Sequence, residues 1–109
     1  MATLEDVVNA IEELAEKVEI QPTTFDQLTP INVGTSATQI LPQDSTRKGF
    51  YITHCGDNEI NIGNGSVTTS NGIPFYPGDV LSEKMLPVTA AVFGIVASGT
   101  QEVRIIEEK

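Results

Sequence analysis

The stretch GDNEINIGNGSVTTSNGIPFYPGD, residues 56–79, sets short β-prone runs among Gly and Asn residues and closes on a Pro-Gly-Asp corner. A catalytic loop, a calcium loop and a chain of tight turns all share this composition. Gly63-Asn64-Gly65, Asn71-Gly72 and Pro77-Gly78 are the residue types that supply positive φ in tight turns, so turn chemistry accounts for most of the stretch. Outward from it, apolar residues repeat with a period of two. The pattern predicts strands near 31–34, 37–41, 49–54, 59–62, 73–76, 80–82, 90–97 and 102–107. EVRII alternates, with Val103 and Ile105 on one face and Glu102 and Arg104 on the other. AAVFGIVA is apolar on both faces and is expected to be the most buried strand. Turn signals about every 8–12 residues belong to an antiparallel β-sandwich or jelly-roll-like domain rather than to βαβ units.

The N-terminal residues follow a different period. In TLEDVVNAIEELAEKVEIQP, Leu4, Val7, Ile11, Leu14 and Val18 are spaced 3, 4, 3 and 4, an a/d stripe. Thr3 followed by Asp6 has the form of a capping box, and Pro22 is a natural stop. The chain thus divides into an amphipathic helix over 1–20, a linker over 21–30 with two prolines, and a β domain over 31–109. A helix of about 25 Å is marginal alone in water, so its stripe must pack on something. Val8 and Ala15 at e and Ala10 at g widen the stripe. Three arrangements remain open: packing on its own β domain, a short coiled coil of trimeric form, or docking on another protein. The stripe residues are the candidates for oligomerisation or docking.

Charge and cysteine content bound the partners. The 109 residues carry 15 acids against 6 bases, a net charge of −9. The bases are scattered, so no stripe can neutralise successive phosphates, and a nucleic-acid partner is not expected. The same balance disfavours anionic membranes. No apolar run approaches a membrane span, and acids at Glu5 and Asp6 are foreign to a signal peptide, which points to synthesis in a reducing cytoplasm. Residues 1–20 hold six acids and one base, a net of −5, so helices side by side would repel unless a seam or a basic partner compensates.

The strongest reactive candidate is His54-Cys55, with Asp57 and Glu59 close by. A thiolate nucleophile needs its histidine base within reach, but neighbours on a strand point to opposite faces. The pair reads as a small buried Cys and a His near a strand end. Cys55 is the only cysteine, which leaves no internal disulfide and no cysteine zinc cluster. Asp57 and Glu59 lack the full calcium-loop pattern, and no glycine-rich phosphate cradle occurs. Ser66, Ser70 and Ser98 have no identifiable partner histidine, and the Asn64-Gly65-Ser66 acceptor motif reads as incidental. Phe50, Tyr51, Phe75 and Tyr76 could line a sugar-binding face, although core or interface packing is the plainer reading. No enzyme, cofactor or metal is expected.

VGTSATQILPQDSTRKGFYITHCGDNEINIGNG, then TTSNGIPFYPGDVLS, then VFGIVASGTQEVRIIEE resemble a β-sandwich pattern of small structural proteins of tailed bacteriophages. The elements are a TSATQIL strand, an RKGFYI strand, a NEINIG strand with a turn, a GIP-hydrophobic-x-PG corner and a closing ASGT-x-x-VRI hairpin. The resemblance covers roughly residues 33–107, and THCGDN stands where an Asn-rich turn is more usual. It implies a virion structural protein, such as a trimeric capsid decoration or head-fibre protein on the capsid surface. Its partners would be its own copies and the major capsid protein or another virion protein. A carbohydrate- or receptor-binding module of a tail-fibre assembly is the alternative it leaves open. No catalytic set is carried over.

Overall fold

A computed structural model describes Thr3, Leu4 and residues 24–109. Its strands are β1 (Phe25–Gln27), β2 (Ile31–Val33), β3 (Thr38–Leu41), β4 (Gly49–His54), β5 (Ile60–Gly63), β6 (Ile73–Phe75), β7 (Val80–Ser82), β8 (Val92–Ile95) and β9 (Gln101–Glu108). One sheet has the order β1-β9-β4-β7, with β2 also paired to β9, and the other has the order β3-β8-β5-β6. Every pairing is antiparallel. The domain is mainly β, with two sheets facing each other across one core.

Period-two alternation builds that core. Val33, Phe50, Ile52, Leu81, Val103 and Ile105 come from the first sheet; Ile40, Leu41, Ile60, Ile62, Phe75 and Val92 come from the second. Along β9 the alternation seen in EVRII continues past its apolar part. It turns Ile106 outward and Glu107 inward, an inversion of the usual preference that Arg47 explains below.

The sheet edges are short or interrupted. β1 and β2 lie on the same side of β9 and are nearly one strand. Phe25–Gln27 face 106–108, the Leu28 N–H donates to the Ile105 carbonyl at 3.0 Å, and Ile31–Val33 face 101–103. Thr29 and Pro30 thus stand together opposite Arg104, a bulge in which proline costs no ladder bond. At the other edge, β7 has three residues. In the second sheet, β6 contains Pro74, and the β3 register shifts between Gln39 and Leu41. Such features discourage pairing with another chain's strand.

Several expectations are corrected. Phe25–Gln27, within the segment read as a linker, are a strand, because the β9 edge offers them a ladder that local composition does not reveal. The ASGT segment does not close a hairpin: β8 and β9 belong to different sheets, and the chain crosses between them at Gly99, whose φ is 67°. β8 is buried on one face and half-buried on the other; β5, with three buried residues in succession, is the more enclosed strand. Among the turn glycines singled out, only Gly78 has positive φ, at 86°. Gly72 instead serves close packing, since a Cβ there would lie 2.7 Å from Asn61 Cβ and 2.8 Å from Val67 Cγ2. The helix read over 1–20 lies outside the described residues apart from Thr3 and Leu4.

Candidate functional site

Three groupings of polar or exposed side chains stand out, and the first is the 54–59 turn. His54, the last residue of β4, is 2 % exposed and packs against Phe75 with ring centroids 5.4 Å apart. Its Nδ1 accepts the Gly56 N–H at 2.9 Å, and its Nε2 meets the Asn58 carbonyl, which assigns the ring proton to Nε2. The Gln101 Oε1 accepts the N–H groups of Asp57 at 2.6 Å and Asn58 at 3.0 Å. A Cβ at Gly56 would fall 2.0 Å from that same oxygen and would push the Gln101 amide off the turn. The neighbouring Pro-Gly-Asp corner is tied to the same strand end. Asp79 N–H donates to the Tyr76 carbonyl and Gly78 N–H to the His54 carbonyl, with Pro77 and a positive-φ Gly78 in the central positions of a type II turn.

Cys55 is exposed, not buried as the sequence reading has it, and its thiol lies 3.7 Å from the Thr53 carbonyl. Both imidazole nitrogens of His54 are committed to backbone groups of the turn, so this ring is occupied with holding the 54–59 loop. Gln101→Ala is expected to leave two backbone donors without their acceptor and to cost about 1–3 kcal/mol. A urea midpoint would measure the loss, and amide exchange should accelerate at Asp57 and Asn58 first.

The second grouping surrounds Arg47, which is 2 % exposed. Its Nε donates to Glu107 Oε2 at 3.0 Å, Nη1 to the carbonyls of Val88 and Ala90 at 3.1 and 3.2 Å, and Nη2 to the Pro42 carbonyl. Lys109 Nζ bridges Asp44 Oδ2 at 3.0 Å and Glu107 Oε1 at 3.3 Å. No described buried side-chain nitrogen or oxygen lacks a partner. The hydroxyl and N–H of Thr46, and then the Lys109 ammonium, hold the Asp44 carboxyl well below the usual carboxylate range. Asp44, and after it Glu107, raise Lys109 above its ordinary 10.5. With Asp44 lowered, its contribution is present above 3.8 and lost as pH falls through the lowered value. With Lys109 raised, its contribution is present below 10.5 and lost as pH rises through the raised one.

The third is the outer face of the β1-β9-β4-β7 sheet. Strand register sets Gln27, Ile106, Tyr51 and Ser82 in one row across it, with Phe25 and Glu108 in the next. Phe25, Tyr51, Val80 and Ile106 are all exposed on this face. A groove of about 320 Å³ runs beside the bulge, lined by Gln27, Leu28, Pro30, Tyr51, Arg104 and Ile106 among others. Negative charge on Glu108, and next on Glu83, raises the Tyr51 phenol above its ordinary 10.0, assisted by burial and a hydrogen bond to Glu108. Because the folded value is raised, this contribution to stability is complete below pH 10.0 and is lost as pH climbs from there through the raised value. Absorbance titration of the tyrosines should show the Tyr51 transition moving down toward 10.0 when Glu83→Gln and Glu108→Gln are combined.

The aromatic residues proposed for a sugar-binding face do not share a surface. Phe50 and Phe75 are in the core, while Tyr51 and Tyr76 are exposed. Sequence reading missed Arg47, Glu107 and Gln101, whose roles depend on partners 41 to 60 residues away. Of the oligomerisation or docking residues, Leu4 is 80 % exposed, and Val7, Ile11, Leu14 and Val18 lie outside the described residues. Comparisons of the chain with protein-family models, with curated proteins and with solved structures return no match.

Proposed function

We propose that this chain is a non-enzymatic structural protein of a tailed-bacteriophage virion, a trimeric capsid decoration or head-fibre protein that binds and stabilises the assembled shell. The observation that carries the reading is the placement of exposed apolar side chains among the described residues. Leu4, at the head of the a/d stripe, is 80 % exposed, and the outer face of the sheet that begins with β1 exposes Phe25, Tyr51 and Ile106. Interrupted edges turn other chains away from strand addition, so contacts fall to that face and to the stripe. The polar side chains most committed, Arg47, His54 and Gln101, are spent on holding loops. The resemblance of residues 33–107 to phage structural domains supplies the biological setting: major capsid protein as partner and the capsid surface as location. Three chains attaching together would turn modest contacts into tight binding.

Light scattering on the full chain tests the assembly, with three times the 11.7 kDa chain mass expected. Ile11→Asp combined with Leu14→Asp should reduce it to one chain. Immunogold labelling of phage particles from the source bacterium tests the location; unlabelled particles would refute the capsid reading.

A further inference from the structure

We propose that the outer face of the β1-β9-β4-β7 sheet is a self-association surface, on which Phe25 of one copy seats in the groove beside the bulge of the next. This rests on the trimer reading above and extends it from the N-terminal stripe to the β domain.

A short tether joins the stripe to the β domain. Thr24 is fixed to the end of β9 by a reciprocal backbone pair with Lys109, at 3.1 and 2.9 Å. The four chain steps from Ile20 to Thr24 reach at most about 14 Å. Three copies held by their 1–20 stripes must therefore bring the β1 ends of their domains close to the common axis. Phe25, the first residue of β1, is 68 % exposed there and is a side chain whose burial is among the most favourable.

Shape and charge favour the same seating. The groove, at about 320 Å³, lies at the small end of the range of ligand pockets and can take one aromatic ring. It begins one row away from Phe25 on the same face, since Gln27 pairs with Ile106 and Ile106 with Tyr51. Repeated head to tail around the three-fold axis of the trimer, with each Phe25 entering the next copy's groove, the contact would close into a ring. It also brings Glu108, the register partner of Phe25, toward Arg104 at the neighbour's groove. Among the described residues the exposed Arg104 pairs with Glu102 at 3.3 Å, a weak surface pair that can be exchanged.

Sedimentation of the full chain across a concentration series decides the matter. Phe25→Asp should weaken the trimer by at least about 30-fold while the melting temperature of the β domain holds, and Phe25→Leu should retain most of the affinity. Arg104→Glu should weaken it too, and adding Glu108→Arg should restore part of the loss. A wild-type trimer unaffected by Phe25→Asp and by Arg104→Glu overturns the seating while leaving the trimer reading intact. A monomeric wild type overturns both, and leaves the face to residues 1–20 of the same chain or to another protein.

Discussion

Arg47→Ala is expected to destabilise the domain by about 3–5 kcal/mol, the range for removing one partner of a buried ion pair. The substitution takes the donor from Oε2 of Glu107, which is 6 % exposed, and leaves Lys109, 3.3 Å from Oε1, as its remaining cation. It also removes the donor for the carbonyls of Pro42, Val88 and Ala90. Those carbonyls belong to two separate loops, so their release should loosen the 42–48 and 86–91 segments together. Denaturant unfolding would give the magnitude, and amide exchange would show whether both loops open. Replacing both charges, as in Arg47→Met with Glu107→Leu, should recover only part of the loss. The carboxylate that lost its guanidinium is gone, but the carbonyls remain without a donor, and each costs about 1–3 kcal/mol if it stays dry. Equal stability of the double variant and the wild type would show that water reaches these loops.

Phe50→Ala is the second large effect, again about 3–5 kcal/mol, from lost transfer energy and the cavity left between the sheets. Phe50 is fully enclosed in β4, the strand that lies between β9 and β7 at the centre of its sheet. Phe25→Ala, by contrast, should change stability by no more than about 0.5 kcal/mol, because its ring is exposed on an edge strand. Thermal unfolding of the two variants side by side measures the contrast. The outcome bears on function as well: Phe25 stabilises little in the isolated domain, so any strong effect of its removal on mass in solution belongs to contact between chains.

These two phenylalanines also mark how far local pattern carries. The strands near 49–54, 80–82 and 102–107 were legible because alternation along a half-buried sheet writes burial directly into the sequence, as with Val103 and Ile105 in and Arg104 out. The breaks between them were legible from Gly, Pro and Asn. Gly78 has the left-handed backbone its position after Pro77 implies. Gly72 does not; there the packing of Asn61 and Val67, not a dihedral angle, excludes a Cβ, and that constraint depends on how β5 and the 64–72 loop fold back on each other. Cys55 looked buried by residue type but ends on the surface, just past the end of β4, where the turn held by His54 and Gln101 begins.

Residue order was enough to establish a mainly β, antiparallel domain, the approximate strands and the acidic stripe-bearing N-terminal segment, because these depend on neighbours two to four positions apart. Folding in three dimensions added the pairing of β1 and β2 along one side of β9, the separation of β8 from β9 into opposite sheets, and the burial of Glu107 against Arg47. The first and last of these join residues far apart in the chain, and the second follows from the pairing of β8 with the distant β3 and β5. A glutamate turned inward is unfavourable until the guanidinium that neutralises it arrives from 60 positions away, and no local periodicity announces that partner.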